Sequence, residues 1–272
     1  MRQLRSHERS WYGTAGSRQM RLTRVYVDAA LEAGSIVDLP KEAAVHVAKV
    51  LRARSGDEIV LFNGDGREFS GVVESVRGNR VAAAIGAPRN VDVESRIAIT
   101  LVQCLPRAEK MDFVVQKATE LGVARMVPVT SQRSVVRLDD QQAHSKQTHW
   151  RSVAIAACEQ CGRARLPIID SPAALLNYLG QLTPSDHPRW VLEPHTIAPA
   201  LRNRAPGNSP QRLAVPAAEI AVGPEGGFAE DELEGFRIAG FSRLGLGPRV
   251  LRTETAAIAA IVWLQTLFGD ML

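Results

Sequence analysis

Apolar and polar residues alternate in different ways in two parts of the chain. Between residues 21 and 89, short runs of strand-forming residues are separated by turn signals such as NGDG at residues 63–66. The expected strands are RLTRVYVD, DEIVLFNG, EFSGVVESV and RVAAAIG, and one helix-like stretch at residues 41–51 interrupts them. Several short strands at close spacing are typical of a small β-barrel. Residues 86–96 contain Pro88 and follow no period, so we expect a linker there.

Beyond this linker, strand-like runs alternate with helical patterns. ITLVQCL is continuously apolar, as expected of a strand that is buried on both faces. The segment after it repeats apolar residues at helical spacing and meets Gly122, a natural helix end. Further strands are expected in ARMVPV, PRWVLEP, AEIAVG and FSRLGL, and further helices around Trp150 and at residues 255–267. This alternation predicts an α/β fold with a mainly parallel, helix-covered sheet.

Composition places the chain among ordinary globular proteins. Its 272 residues suffice for two domains, and 45% apolar with 23% charged residues is close to average. The net charge of +4 is weak support for nucleic-acid binding, because residues 1–19 alone contain four arginines against one glutamate. Those residues follow no period and contain no apolar signal-peptide core, so we expect a disordered extension. Three cysteines, an odd number, favour the reducing cytoplasm.

Two features between residues 125 and 165 allow more than one interpretation. Seven arginines and lysines against three acids could contact phosphates, but they could equally form a solvated helix face. Cys158 and Cys161 form a C-x-x-C pair, which suggests zinc or redox chemistry. No second cysteine pair or histidine pair completes a set of four ligands, so we expect no metal.

A glycine-rich loop, GPEGG, follows the expected strand AEIAV and precedes an acidic helix start. Glycine at 223, 226 and 227 would let a ligand lie against the backbone, at the strand end where parallel sheets bind ligands. A tight turn that needs glycine for backbone reasons is the alternative. The chain contains neither the phosphate-binding G-x-x-x-x-G-K-[ST] motif nor a G-x-G-x-x-G motif that opens a helix after a strand.

A second loop, LGPRVLRTETA at residues 246–256, also follows a strand and opens a helix. We expect Thr253 to be the N-cap of this helix. The helix beyond is apolar on nearly all sides, so it must be enclosed by other helices or by a second subunit. Arg249 and Arg252 are not needed by a purely structural turn, and they point to function.

Four of these segments together resemble a known family. QKATELGV, AIAACEQCGRARLP, GPEGG and LGPRVLRTETA closely resemble the RsmE family of 16S rRNA uridine-N3 methyltransferases in order and spacing. HVAKVLRARSGDEI at residues 46–59 resembles the PUA-like RNA-binding barrel of that family. The resemblance covers residues 21–270, nearly the whole chain.

The resemblance implies a fold, a cofactor and partners. It implies a PUA-like barrel at residues 20–90 and a SPOUT methyltransferase domain at residues 91–272, whose C-terminal segment forms a trefoil knot, a rare exception among folds. It also implies that S-adenosylmethionine is bound in the knot at a homodimer interface. The implied substrate is 16S rRNA within the assembled small ribosomal subunit, in the cytoplasm.

By the same resemblance, three loops hold the cofactor. The expected residues are Leu192, Glu193 and Pro194, then Gly223, Pro224, Glu225, Gly226 and Gly227, and finally Leu246, Gly247, Val250, Leu251, Arg252, Thr253, Thr255 and Ala256.

Methylation of uridine N3 requires loss of the weakly acidic imide proton, so a carboxylate near the methyl group is a reasonable general base. Glu225 and Glu254 are the candidates, with helix capping as the alternative role of each. Arg252 stays charged and cannot be the base, but it could stabilise negative charge on the uracil or hold a phosphate. For RNA contacts we select five arginines. They are Arg24, Arg52, Arg54, Arg133 and Arg163.

Three other functions stay open at this point. A related methyltransferase could modify another rRNA or tRNA nucleotide. A non-catalytic ribosome-assembly factor could keep the barrel, but we would expect it to have lost the glycine loops. A nucleotide-binding protein would want a lysine or hydroxyl beside GPEGG, and the sequence has neither there.

Overall fold

The computed structural model describes residues 22–106, 109–134, 136, 138–194, 196 and 215–271. Within them, two separate β-sheets each have an apolar core of their own. The extension expected at residues 1–19 lies outside the described residues.

The first sheet has five strands in the order β1-β3-β4-β5-β2. Their bounds are β1 Thr23–Tyr26, β2 Ile36–Asp38, β3 Glu58–Phe62, β4 Arg67–Arg77 and β5 Arg80–Asn90. Neighbouring strands are antiparallel except β1 and β3, which pair in parallel. Helix α1 (Lys41–Val45) continues into a π-helical turn (His46–Val50) and buries Ala44 and Val47 against this sheet.

Two details of this sheet differ from the sequence prediction. Strand β2 was not predicted, because three residues are too short to show a period. Strand β5 runs on to Asn90, so the linker expected from residue 86 is wrong over its first five residues. Pro88 is tolerated there because β2 pairs only with residues 82–84 of β5 and leaves this stretch at an edge of the sheet.

The second sheet is parallel at every pairing, as the alternating pattern predicted. Its strand order is β12-β10-β11-β6-β7-β8, and β9 also pairs with β7. The bounds are β6 Ala98–Cys104, β7 Arg125–Thr130, β8 Ile168–Ile169, β9 Ala173–Ala174, β10 Arg189–Leu192, β11 Ala217–Val222 and β12 Ser242–Leu244. Central β6 and β11 are almost wholly buried.

Helices cover both faces of this second sheet. They are α2 Glu109–Glu120, α3 Asp140–Cys161, α4 Leu175–Gly180, α5 Glu230–Ile238 and α6 Thr253–Phe268. Residues of α2, α3 and α6 share one apolar core, and residues of α4 and α5 share the core on the other face. The expected α/β fold with a mainly parallel, helix-covered sheet is therefore confirmed, while the knot itself stays a prediction. In the described part of the chain, no helix has the length and apolar character of a membrane span.

The first sheet contacts the helices of the second sheet where β1 packs on the end of α3. The Tyr26 amide donates to Glu159 Oε1 over 3.0 Å, and the Gly66 amide donates to the Ala164 carbonyl over 3.2 Å. Tyr26 and Phe62 pack around the buried Cys158. The contact is therefore both apolar and hydrogen-bonded.

Candidate functional site

Three loops at the carboxyl ends of β10, β11 and β12 surround a cavity of about 480 Å³. Of the sixteen residues expected to hold a cofactor, fourteen line this cavity. Gly226 and Thr255 do not line it, and both are exposed. The structure thus brings together the three loops that are far apart in sequence.

The apolar wall of the cavity was missed by the sequence analysis. It consists of Val222, Phe228, Leu233 and Leu244. Val222 and Leu244 end strands, Leu233 lies within α5 and Phe228 precedes it. All four are buried, so their sequence pattern is that of core residues. The periodicity of apolar residues does not distinguish a side chain that faces a cavity from one that packs against another side chain.

Glycine is required at two points where the loops approach other groups. A Cβ at Gly223 would lie 3.1 Å from the Phe228 ring. A Cβ at Gly245 would overlap the carbonyl oxygen of Thr196, where the loop after β12 touches the loop after β10. The close packing of the loops therefore depends on missing side chains.

Thr253 joins two loops rather than capping a helix. The N-cap of α6 is Arg252, so the prediction for Thr253 is wrong. The Thr253 hydroxyl instead donates to the Gly223 carbonyl over 2.7 Å, and it accepts from Gln103 Nε2 over 2.9 Å. Gln103, at the end of β6, was not among the expected residues.

Lys110 connects the two candidate bases. Its ammonium lies 3.0 Å from Glu225 Oε1 and 3.4 Å from Glu254 Oε2. The hydrogen bond to Glu225 is the main cause that raises the pKa of Lys110. Glu225 lines the cavity, whereas Glu254 does not. Lys110 begins a helix more than a hundred residues earlier, and no sequence signal links it to these loops.

Basic side chains gather at the mouth of the cavity. Arg249 and Arg252 line it and are exposed. Arg133, expected to bind RNA, is also exposed, and its Nη1 donates to the Gly226 carbonyl over 3.0 Å. Two guanidinium groups therefore line the cavity, and a third is hydrogen-bonded to the glycine loop.

Two of the five arginines expected to bind RNA are in fact structural. Arg163 is only 5% exposed, and its guanidinium donates to Glu94 over 2.9 Å and to the Thr119 carbonyl over 2.8 Å. Arg24 pairs with the buried Glu68 and donates to the Arg163 carbonyl over 2.9 Å. Both guanidinium groups satisfy buried acceptors, so we correct their assignment. Arg52 and Arg54, after the π-helical turn, are exposed.

The three cysteines are free thiols in different surroundings. Burial raises the pKa of Cys104 and of Cys158 to about 12. Cys161 is partly exposed. Among the described residues, no three histidine, cysteine or acidic side chains are grouped so that they could hold a metal ion.

Comparison with known proteins gives consistent matches. Residues 93–265 match the family described as RNA methyltransferase domain, and residues 39–85 match the RNA methyltransferase PUA domain. A curated relative from Buchnera aphidicola subsp. Schizaphis graminum, ribosomal RNA small subunit methyltransferase E, is 32% identical over 251 residues, which are 92% of this chain and 98% of the relative.

Two solved structures resemble the whole fold. A methyltransferase from Legionella pneumophila, in complex with S-adenosylmethionine, has a TM-score of 0.83 at 36% identity. The ribosomal RNA small subunit methyltransferase E from Neisseria gonorrhoeae, bound to S-adenosylmethionine, has a TM-score of 0.81 at 35% identity. Each match covers 93% of this chain and 100% of the other.

Proposed function

The chain belongs to the RNA methyltransferase family that includes ribosomal RNA small subunit methyltransferase E, and from this membership we propose that it methylates N3 of a uridine in 16S rRNA. The methyl donor is S-adenosylmethionine. The observation that carries the proposal is the three-loop cavity, in a fold shared along 93% of the chain with a relative bound to that cofactor.

The cavity suits this cofactor in size and in chemistry. Its volume of about 480 Å³ lies in the range of small-molecule sites, roughly 300–1,000 Å³. The apolar wall offers a surface for an adenine ring, and the carboxylates of Glu193 and Glu225 complement the positive charges of the sulfonium and the amino group. When bound, the cofactor supplies an electrophilic methyl group. We retain as cofactor residues the fourteen that line the cavity and leave out Gly226 and Thr255.

Glu225 is the better candidate for the general base. It lines the cavity, whereas Glu254 does not line it and lies 3.4 Å from the Lys110 ammonium. Lys110 orients the Glu225 carboxylate over 3.0 Å, and the carboxylate accepts the N3 proton as the methyl group is transferred. Arg252, at the mouth, stabilises the negative charge that develops on the uracil oxygens.

The RNA is held by cations that do not read its sequence. Arg133 lies beside the glycine loop, and Arg52 and Arg54 are exposed on the barrel. In this assignment residues 20–90 form the RNA-binding unit and residues 91–272 the catalytic unit. Specificity then rests on the shape of the assembled small subunit and on an unstacked target base.

A second copy of the chain is the proposed partner of α6. Val262 on α6 and Phe113 on α2 are 37% and 45% exposed, and these two helices pack side by side. Large apolar side chains at this exposure on adjacent helices suit a homodimer interface. The proposed enzyme is a cytoplasmic homodimer with a knotted C-terminal segment.

The test combines binding and chemistry. Calorimetry should show binding of S-adenosylmethionine and none of ATP. Small subunits from a strain that lacks the enzyme should then accept one methyl group, found as 3-methyluridine by mass spectrometry and as a new stop in reverse transcription. Methylation of another nucleotide would show that the proposed uridine is not the target. Binding to the subunit without any methyl transfer would favour an assembly factor.

A further inference from the structure

Gln103 occupies the junction of the strands that carry the site. It lies near the end of β6 and pairs in register with Val222 of the neighbouring strand β11. Val222 is the residue directly before Gly223. The side chain of Gln103 is fully buried. Strands β6 and β11 are adjacent, but their connections lead to opposite sides of the sheet. Such a switch point is where parallel sheets form ligand crevices.

The side chain of Gln103 begins a chain of hydrogen bonds that has only one possible direction. Its Nε2 donates to Thr253 Oγ1 over 2.9 Å and to the Cys104 carbonyl over 2.8 Å. Because an amide nitrogen can only donate, the Thr253 hydroxyl must direct its own proton elsewhere. That proton goes to the Gly223 carbonyl over 2.7 Å. Gln103 thereby fixes the glycine loop and the start of α6 relative to each other.

The other end of the same amide is not paired. Within the described residues, Gln103 Oε1 is a buried acceptor that has no hydrogen-bond partner. A buried acceptor without a donor disfavours the folded state, and an apolar side chain of similar shape would avoid that cost. The stability that Gln103 contributes through its two donor contacts is therefore offset in part at the other end of the amide.

Gln265 provides a contrast on the same helix. It is also buried, near the other end of α6, but both ends of its amide are paired. Its Nε2 donates to the Leu121 carbonyl over 2.6 Å, and its Oε1 accepts from the Ser95 hydroxyl over 2.9 Å. The pairing of Gln265 is what a purely structural glutamine shows.

We infer that Gln103 is a positioning residue for methyl transfer, which acts through Thr253 to hold the two cofactor loops in their binding geometry. The inference rests on the proposed function, because it concerns the same cavity. Gln103 does not line the cavity and acts only through residues that do.

The test compares Gln103→Met with the matched control Gln265→Met in the full-length protein. Calorimetry with S-adenosylmethionine should show about a tenfold higher Kd for Gln103→Met, the loss expected for one hydrogen bond. Its melting temperature should fall less than that of Gln265→Met, which should bind S-adenosylmethionine as the wild type does. The KM for small subunits should not change in either variant.

A double-mutant cycle with Thr253→Val tests the path of the effect. Since Thr253→Val already removes the hydroxyl that Gln103 holds, the double variant should bind no more weakly than Thr253→Val alone. Thr253→Ser, which keeps the hydroxyl, should restore most of the affinity.

Distinct results would overturn the two claims. If the wild type did not bind S-adenosylmethionine, both the proposed function and this inference would be wrong. Binding by the wild type and equally by Gln103→Met, or additive losses in the cycle, would overturn the inference and leave the proposed function standing.

Discussion

The two ends of the parallel sheet use their polar groups in opposite ways. At the amino end, Glu219 is 7% exposed and accepts from Tyr178 and from Arg189 over 3.1 and 3.2 Å, with His187 Nε2 at 2.9 Å. Arg189 also donates to two carbonyls. At the carboxyl end, the arginines and Glu225 face a cavity or solvent. Groups that saturate one another in the core stabilise the fold, whereas polar groups that line a cavity are within reach of a ligand.

The largest effect is expected for Glu225→Gln, at the carboxyl end of the sheet, beside the cavity. Loss of a general base should lower the rate of methyl transfer by about 1,000-fold. Glu234→Gln is the control, because Glu234 is an exposed glutamate on α5 that pairs with Arg237 and does not line the cavity. Single-turnover assays on small subunits measure both. If Glu225→Gln lowered the rate of methyl transfer less than threefold, Glu225 would not be the general base.

Removal of the carboxylate at the saturated end should instead affect folding. Glu219→Gln leaves the buried Arg189 without its counter-charge, and we expect a loss of about 3 kcal/mol in the free energy of unfolding. Urea denaturation measures this value. Glu120→Gln, which breaks the more exposed pair with Lys117, is the control and should change stability little. A large loss of cofactor affinity in folded Glu219→Gln would break the contrast between the two ends.

A smaller effect is expected where two loops touch. Gly245→Ala places a Cβ against the Thr196 carbonyl, so the loops must separate. Overpacking of this kind costs about 2 kcal/mol, which corresponds to about a 30-fold higher Kd for S-adenosylmethionine. Gly180→Ala is the control, because a Cβ there meets no atom within 4 Å. Unchanged binding in Gly245→Ala would show that the loop contact is not needed for the cavity.

The smallest effect concerns the exposed and buried arginines. Arg52→Ala should weaken binding to small subunits about threefold and reduce the salt dependence by about one phosphate contact. Arg163→Ala should lower the melting temperature, because it removes buried hydrogen bonds to Glu94 Oε2 and to two carbonyls, while the salt dependence stays as in the wild type. Binding titrations at several salt concentrations distinguish the two. A reduced salt slope in folded Arg163→Ala would restore its assignment to RNA.

The sequence predicted those features that depend on local pattern. The parallel sheet follows from apolar runs that alternate with helical periods, and the loops follow from glycines placed after strands. Features that depend on distant neighbours were not predictable. Arg163 and Arg52 look alike in sequence, and only the carbonyls that surround Arg163 in the fold make it structural.

The same limit applies inside the site. Lys110 reaches Glu225 and Glu254 only after folding, and Thr253 resembles a helix cap until its hydroxyl is seen on the Gly223 carbonyl. Strand β5 continues through Gly86 and Pro88, which read as a linker because both residues are rare within strands. In each case a tertiary contact decides between two interpretations that the local sequence allows equally.

The burial of two of the three thiols makes the native chain convenient for labelling. Cys104 and Cys158 are buried and remain protonated at neutral pH, while Cys161 is partly open to solvent at the end of α3. A maleimide dye should therefore attach at one position without any cysteine being replaced. Because that position is at the end of α3, near β1, a change in the dye's fluorescence on addition of small ribosomal subunits would test whether they bind beside it.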